Sequence, residues 1–120
     1  MARPMAMKRV ILEMGMGNDL HGSDYTKAAL RAVQDALHHS SMSLVGSLGL
    51  DIHKMQVEVT IGVQQPGAVD AERVRASLPY GVVTVKVVKG GLDVVGAKDT
   101  AVIANAGIVV SLEVPQFGAA

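Results

Sequence analysis

The chain has 120 residues, with 11 Lys plus Arg balanced by 11 Asp plus Glu, so its formal net charge is zero when histidine is neutral. That length suits one domain with a modest core, and the balanced charge supplies no field favouring nucleic acid or acidic lipid. Three aromatic residues (Tyr25, Tyr80 and Phe117) and no cysteine exclude extended base-stacking surfaces, disulfides, thiolate metal sites and cysteine nucleophiles.

Met1 to Met7 contains Arg3 and Pro4 but leads into no long apolar run, so neither a signal peptide nor a membrane span is expected. The lack of cysteine is compatible with a cytoplasmic location. One domain is expected over residues 1–120, with 8–114 as its ordered core and loose ends at 1–7 and 115–120. Val10-Ile11-Leu12 reads as a buried strand running to about Met14, ended by the glycine-rich segment Gly15 to Gly22. Asp24 then suits the N-cap of a helix from Tyr25 to about His38, whose small stripe (Ala29, Ala32, Val33, Ala36, Leu37) can lie close to a sheet. His38 and His39 fit the helix C-terminus, where cations favour the dipole.

His38 to Gly49 is rich in Ser and Gly and reads as a loop, with short local structure conceivable around Leu44 and Val45. Asp51, His53 and Lys54 form a strand entry. The strand itself runs from Met55 to Val63, with apolar and largely polar residues alternating. Gln65-Pro66-Gly67 turns the chain into a short helix from about Ala71 to Leu78. That helix is capped by Asp70, stapled by Val69 and Val74, and stopped by Pro79. Val82 to Val88 is strand-like, and Gly90-Gly91 reads as a two-residue hairpin turn into Leu92 to Val95. After a turn at Lys98-Asp99-Thr100, Ala101 to Val114 forms a long apolar strand in which Gly107 marks a bulge or a close approach. The order β-α-β-α-β-β-β predicts an α+β domain, a mixed sheet with two helices packed on one face.

Gly15-Met16-Gly17-Asn18-Asp19-Leu20-His21-Gly22 is the candidate site, because backbone amides and side chains converge on ligands at βα junctions. Phosphate fingerprints fail there. Gly15-x-Gly17 is followed by Leu20 where a dinucleotide motif needs its third glycine, and Ser23-Asp24 replaces the Lys-Ser/Thr of a P-loop. Anion binding at the helix N-terminus survives with Lys27 nearby, although Asp24 opposes it. Asp19 and His21 stand two apart, so in extended backbone they face the same way and suit an acid/base pair. Lys27 and His53 are auxiliary catalytic candidates, while Gly15, Gly17, Gly22 and Asp24 are candidate ligand-binding residues. One His-Asp pair falls short of the three or four ligands of a zinc site, so no metal ligands are assigned and no cofactor is specified. The bland alternative is turn chemistry: glycines permitting a sharp exit from the strand, with Asp19 bonded to turn amides.

These residues also carry a resemblance. The chain resembles a small family of conserved hypothetical proteins, found in bacteria and as longer plant proteins, named by a Gly-x-Gly-x-Asp-x-His-Gly signature. Gly15, Gly17, Asp19, His21 and Gly22 complete that signature without departure. The likeness continues through Asp24 to Ala29, Leu50 to Met55, Leu78 to Gly81 and Val102 to Ala106. It implies family membership and a site at the motif, but no reaction. The element order is further similar to chorismate-mutase-like and imine-deaminase-like proteins, trimers with ligand clefts between subunits. Fold likeness of this kind does not assign chemistry.

Two function classes follow. One is a small-molecule enzyme, hydrolase- or isomerase-like, with Asp19 and His21 as acid/base pair. The other is a non-catalytic oligomer that binds a metabolite or metal. A homo-oligomer, as a trimer or larger ring, is expected because two helices cannot cover every apolar face of Val82 to Val88 and Ala101 to Val114.

Overall fold

A computed structural model describes residues 5–39, 49 and 51–115. Its regular elements are β1 (Met5–Asp19), α1 (Tyr25–His38), β2 (Gln56–Val63), α2 (Ala71–Ala76), β3 (Val82–Lys89), β4 (Leu92–Val95) and β5 (Thr100–Pro115). The expected order of strands and helices is therefore present, as one α+β domain with a mixed sheet. The expected Ser/Gly loop falls largely at 40–48, outside the described residues, as does the tail from 116 to 120.

The sheet runs β1-β5-β2-β3, and β4 also pairs with β5. β2 and β4 occupy successive stretches of one edge of β5, residues 105–111 and 100–103 respectively. β1 takes the other edge. Only β2 and β3 are parallel, joined through α2 as a right-sized crossover.

Alternation along the central strands decides which face is inside. Val57, Val59, Ile61 and Val63 of β2 join Val102, Ala104, Ala106, Ile108, Val110 and Leu112 of β5 in the core. Against them α1 lays Ala28, Ala29, Ala32, Val33 and Ala36, and α2 contributes Val74. Asp24 caps α1 by accepting from the Lys27 amide at 3.0 Å, and Asp70 caps α2 by accepting from Arg73 at 3.2 Å. Both caps stand where the sequence puts them.

Three expectations are corrected. β1 does not stop at Met14 but continues through Gly15 and Gly17 to Asp19, so these glycines lie in a strand rather than a loop. Neither has positive φ. Their role is close approach: a Cβ on Gly15 would stand 2.4 Å from Ala32 O, and one on Gly17 would stand 2.3 Å from Ala32 N. The α1 backbone rests directly on β1, through the small-residue stripe on one side and hydrogen atoms on the other.

Gly90-Gly91 is not a hairpin turn, because β3 and β4 do not pair. The chain instead steps from β3 across the end of β2 onto β5. At that crossing Gly91 has φ +61, and a Cβ on it would meet Ile103 O at 2.1 Å. Gly107 causes no bulge, and a Cβ there would meet open space. The register shift falls on the opposing strand, between Arg9 and Ile11.

Candidate functional site

Asp19 ends β1 facing the helix side of the sheet, and it is one of two buried polar residues among those described, 5% exposed. The chain then bends through Leu20, His21 and Gly22 into the N-cap of α1. Asp19 Oδ2 accepts from the backbone N–H of Gly22 at 3.1 Å and of Asp24 at 3.0 Å. Gly22 is a glycine for that contact, since a Cβ would lie 2.8 Å from the same oxygen. Ser23 turns the chain with a left-handed φ of 50°, and its hydroxyl donates to Thr100 O at 3.2 Å. The Asp19 carboxylate thus holds the strand-to-helix junction in shape.

Its other oxygen faces two cations. Lys27 Nζ lies 3.9 Å and Arg31 Nη1 3.8 Å from Asp19 Oδ1, distances of ion pairing rather than hydrogen bonding. The carboxyl is held below the usual carboxylate range, first by the Asp24 amide, then by Lys27, the Gly22 amide and Arg31, against the opposing effect of burial. Arg31 Nη1 also donates to Asn18 O at 2.7 Å. A guanidinium has five N–H donors and an ammonium three, so both heads keep capacity for another acceptor.

Asn18, Asp19, Leu20, His21, Gly22, Asp24, Lys27 and Arg31 line one cavity of about 520 Å3, open to solvent. Of the residues expected from sequence, Asp19, His21, Lys27, Gly22 and Asp24 meet here. Gly15 and Gly17 do not line it. His53 lies at the other end of the sheet, in a separate cavity of about 430 Å3 with Met5, Met7 and Glu113. It is therefore no auxiliary to Asp19.

Asp19 and His21 share the cavity without forming a hydrogen-bonded pair. The strand ends at Asp19, so the two-residue spacing no longer sets both side chains on one face. His21 Nδ1 instead lies 3.3 Å from Asp99 Oδ2, in the turn between β4 and β5, with an 84% exposed side chain. This contact engages Nδ1 of a ring that is otherwise largely exposed.

Sequence reading missed Arg31, Asp99 and Asp93. Lys27 and Arg31 stand four apart on a helix, a spacing that puts them on one side and was available as a signal. Asp99 sits 78 residues from His21, and nothing local in the sequence marks that contact. Behind the site the Tyr25 hydroxyl donates to Asp93 Oδ2, while Asp93 Oδ1 is buried with no hydrogen-bond partner. That bond to Asp93, followed by burial, raises the Tyr25 phenol above its ordinary range. Among the described residues no group of three or more His, Asp or Glu stands close enough to hold a metal ion, and no helix is long and apolar enough to cross a membrane.

No curated protein matches the chain. Among solved structures, a protein from Nostoc punctiforme PCC 73102, described as an FtsZ-like protein of unknown function, is 39% identical. The match covers 92% of this chain and 100% of that one, with a TM-score of 0.80. A family model described as "Conserved hypothetical protein (Lin0512_fam)" matches residues 9–110. With the model spanning most of the chain and a solved relative aligned along its own full length, the chain belongs to this conserved hypothetical protein family.

Proposed function

We propose that the protein binds a small anionic molecule, carrying a carboxylate or phosphate, in the cavity at the end of β1. The observation that carries this reading is the pair of cations, Lys27 and Arg31, converging beside Asp19 at 3.9 and 3.8 Å without hydrogen-bonding to it. Asp19 Oδ2 and Asp24 Oδ1 accept backbone amides, and the two cations share Asp19 Oδ1 at ion-pair distance, so the N–H donors they leave uncommitted are what a further anion would meet. Asp19 is a positioning residue that fixes the junction, and Gly22 permits its contact. The FtsZ-like description of the solved relative carries no activity over, since that protein is itself of unknown function. A chain without cysteine is compatible with the cytoplasm.

Calorimetric titration with inorganic phosphate and with succinate tests this. Binding to the wild type, weakened at least about tenfold in Arg31→Ala and Lys27→Ala, is the expected result, since a charge-assisted hydrogen bond contributes about 1.5–3 kcal/mol. No heat with any anionic metabolite, or equal affinity in the variants, would overturn it.

A second reading rests on the His21–Asp99 contact. An imidazole with a carboxylate on Nδ1 is oriented for proton transfer through Nε2, so acid/base chemistry on the bound molecule would use Asp99, not Asp19, as the orienting group. Under this reading His21→Ala keeps anion affinity and loses turnover of the substrate. Retained turnover in His21→Ala would remove the catalytic role.

A further inference from the structure

The face of the sheet turned away from the helices is apolar along β1 and β4. Leu12, Met14, Met16, Leu20, Leu92 and Val94 are each 48–72% exposed there. Register places five of them together: Leu12 opposes Val109, Met14 opposes Gly107 and Met16 opposes Asn105, while Leu92 opposes Ile103 and Val94 opposes Ala101. Leu20, just past β1, shares a depression with Val94. Met5 and Met7 continue the stripe toward the start of β1.

We infer that a second copy of this chain covers this face and, in doing so, packs over Leu20 and His21 at the rim of the Asp19 cavity, closing it on that side; the closure half of the inference rests on the small-molecule reading above. Area is the first argument. The six side chains expose on the order of 600 Å2, at the upper end of what a monomer leaves open in one patch. A standard interface takes about 800 Å2 from each partner, a size that the continuation through Met5 and Met7 approaches.

Charge is the second argument. None of the six side chains is charged; Arg9 and Glu113, which flank Met7 in the continuation, carry opposite signs, and the chain has no net charge, so copies do not repel. Foreign partners are commonly selected by complementary charge, whereas contacts between identical subunits are richer in apolar surface. This stripe offers the second kind of surface.

The edge of β1 fixes the mode of contact. Asp35 accepts from the Met16 N–H at 2.9 Å, and Arg31 donates to the Asn18 carbonyl at 2.7 Å. These α1 side chains occupy outward-pointing backbone groups near the site, so another strand cannot extend the sheet there. At this end of β1 a partner is left with the face. That face reaches the site directly, because Leu20 and His21 line both the charged cavity and an apolar depression with Val94 and Ala101. A chain seated on Leu20 and Val94 therefore stands over His21.

Light scattering coupled to gel filtration tests the association without any ligand. The wild type at about 10 μM is expected at the mass of two or more 12.5 kDa chains. Met14→Glu and Leu92→Glu, at exposed positions outside the core, are expected to be folded by circular dichroism and to run as monomers. A monomeric wild type, or a folded variant of either kind that still associates, overturns the inference. Hydrogen exchange then tests closure separately: the amides of Leu20, His21 and Gly22 should exchange at least tenfold faster in the monomeric variant. Equal exchange would show that the second copy leaves the site open. Failure of the mass measurement leaves phosphate binding intact, and failure of phosphate binding leaves the mass measurement intact, so the two ideas are judged apart.

Discussion

Gly15 and Gly17 show how a residue's role depends on what lies above it. Three glycines in eight residues suggested a flexible loop, yet two of them sit in an extended strand because α1 comes too close for any side chain. Gly17→Ala should therefore destabilise the protein by about 3 kcal/mol, the upper range for overpacking, as read from urea unfolding. An unchanged midpoint would mean that α1 does not rest on β1 as described. Asp24→Ala, which removes a cap but no packing, should cost about 1 kcal/mol in the same experiment. Asp19 supplies a pH signature. Its contribution to stability is complete above the ordinary aspartate value of about 3.9 and is lost as pH falls through its lower folded-state value. Asp19→Asn should consequently flatten part of the fall in melting temperature between about pH 4 and pH 2. An acid limb of unchanged slope would contradict the amide contacts assigned to this carboxylate.

At the scale of elements, patterning and caps were legible and partnerships were not. Asp24 and Asp70 announced both helices through their side-chain oxygens, and alternation from Val57 to Val63 announced β2 and its buried face. Gly90-Gly91 misled because a two-glycine turn and a two-glycine crossing need the same backbone freedom, and only the sheet order distinguishes them. The close approach of α1 to β1 was half visible: the alanine stripe suggested it, but the complementary glycines were assigned to a loop. Sequence set His21 beside Asp19, whereas its ring lies against Asp99, a contact that comes from a turn remote in sequence. Tyr25 joins the start of α1 to β4 through Asp93, a link with no local sequence signal. Tyr25→Phe should leave that buried carboxylate without its donor and cost about 2 kcal/mol by urea unfolding. Spectrophotometric titration should also show this phenol ionising above its ordinary value, with the stability it contributes present at neutral pH and lost as pH rises through the raised value. A Tyr25→Phe variant as stable as wild type would remove the link.

The whole molecule has two unlike sides. Helices, alanines and valines close one face of the sheet, while methionines and leucines leave the other open. Around one end of the sheet, charged residues from β1, the bend and α1 gather about a carboxylate that is already bonded to backbone. The apolar faces that sequence expected to need a partner, on Val82–Val88 and Ala101–Val114, put Val83, Val85, Val87 and the even-numbered residues of β5 from Val102 onward in or against the core. The exposed leucines and methionines lie instead on β1, the bend and β4. Leu20 and His21 are where that apolar surface meets the site. Chemical-shift mapping in an amide-resolved NMR titration with inorganic phosphate tests the central assignment most directly. Saturable shifts confined to Asn18–Arg31 and the β4–β5 turn, and absent in Arg31→Ala, are the predicted result. Shifts spread over the surface, centred on His53, or unchanged in Arg31→Ala would contradict it.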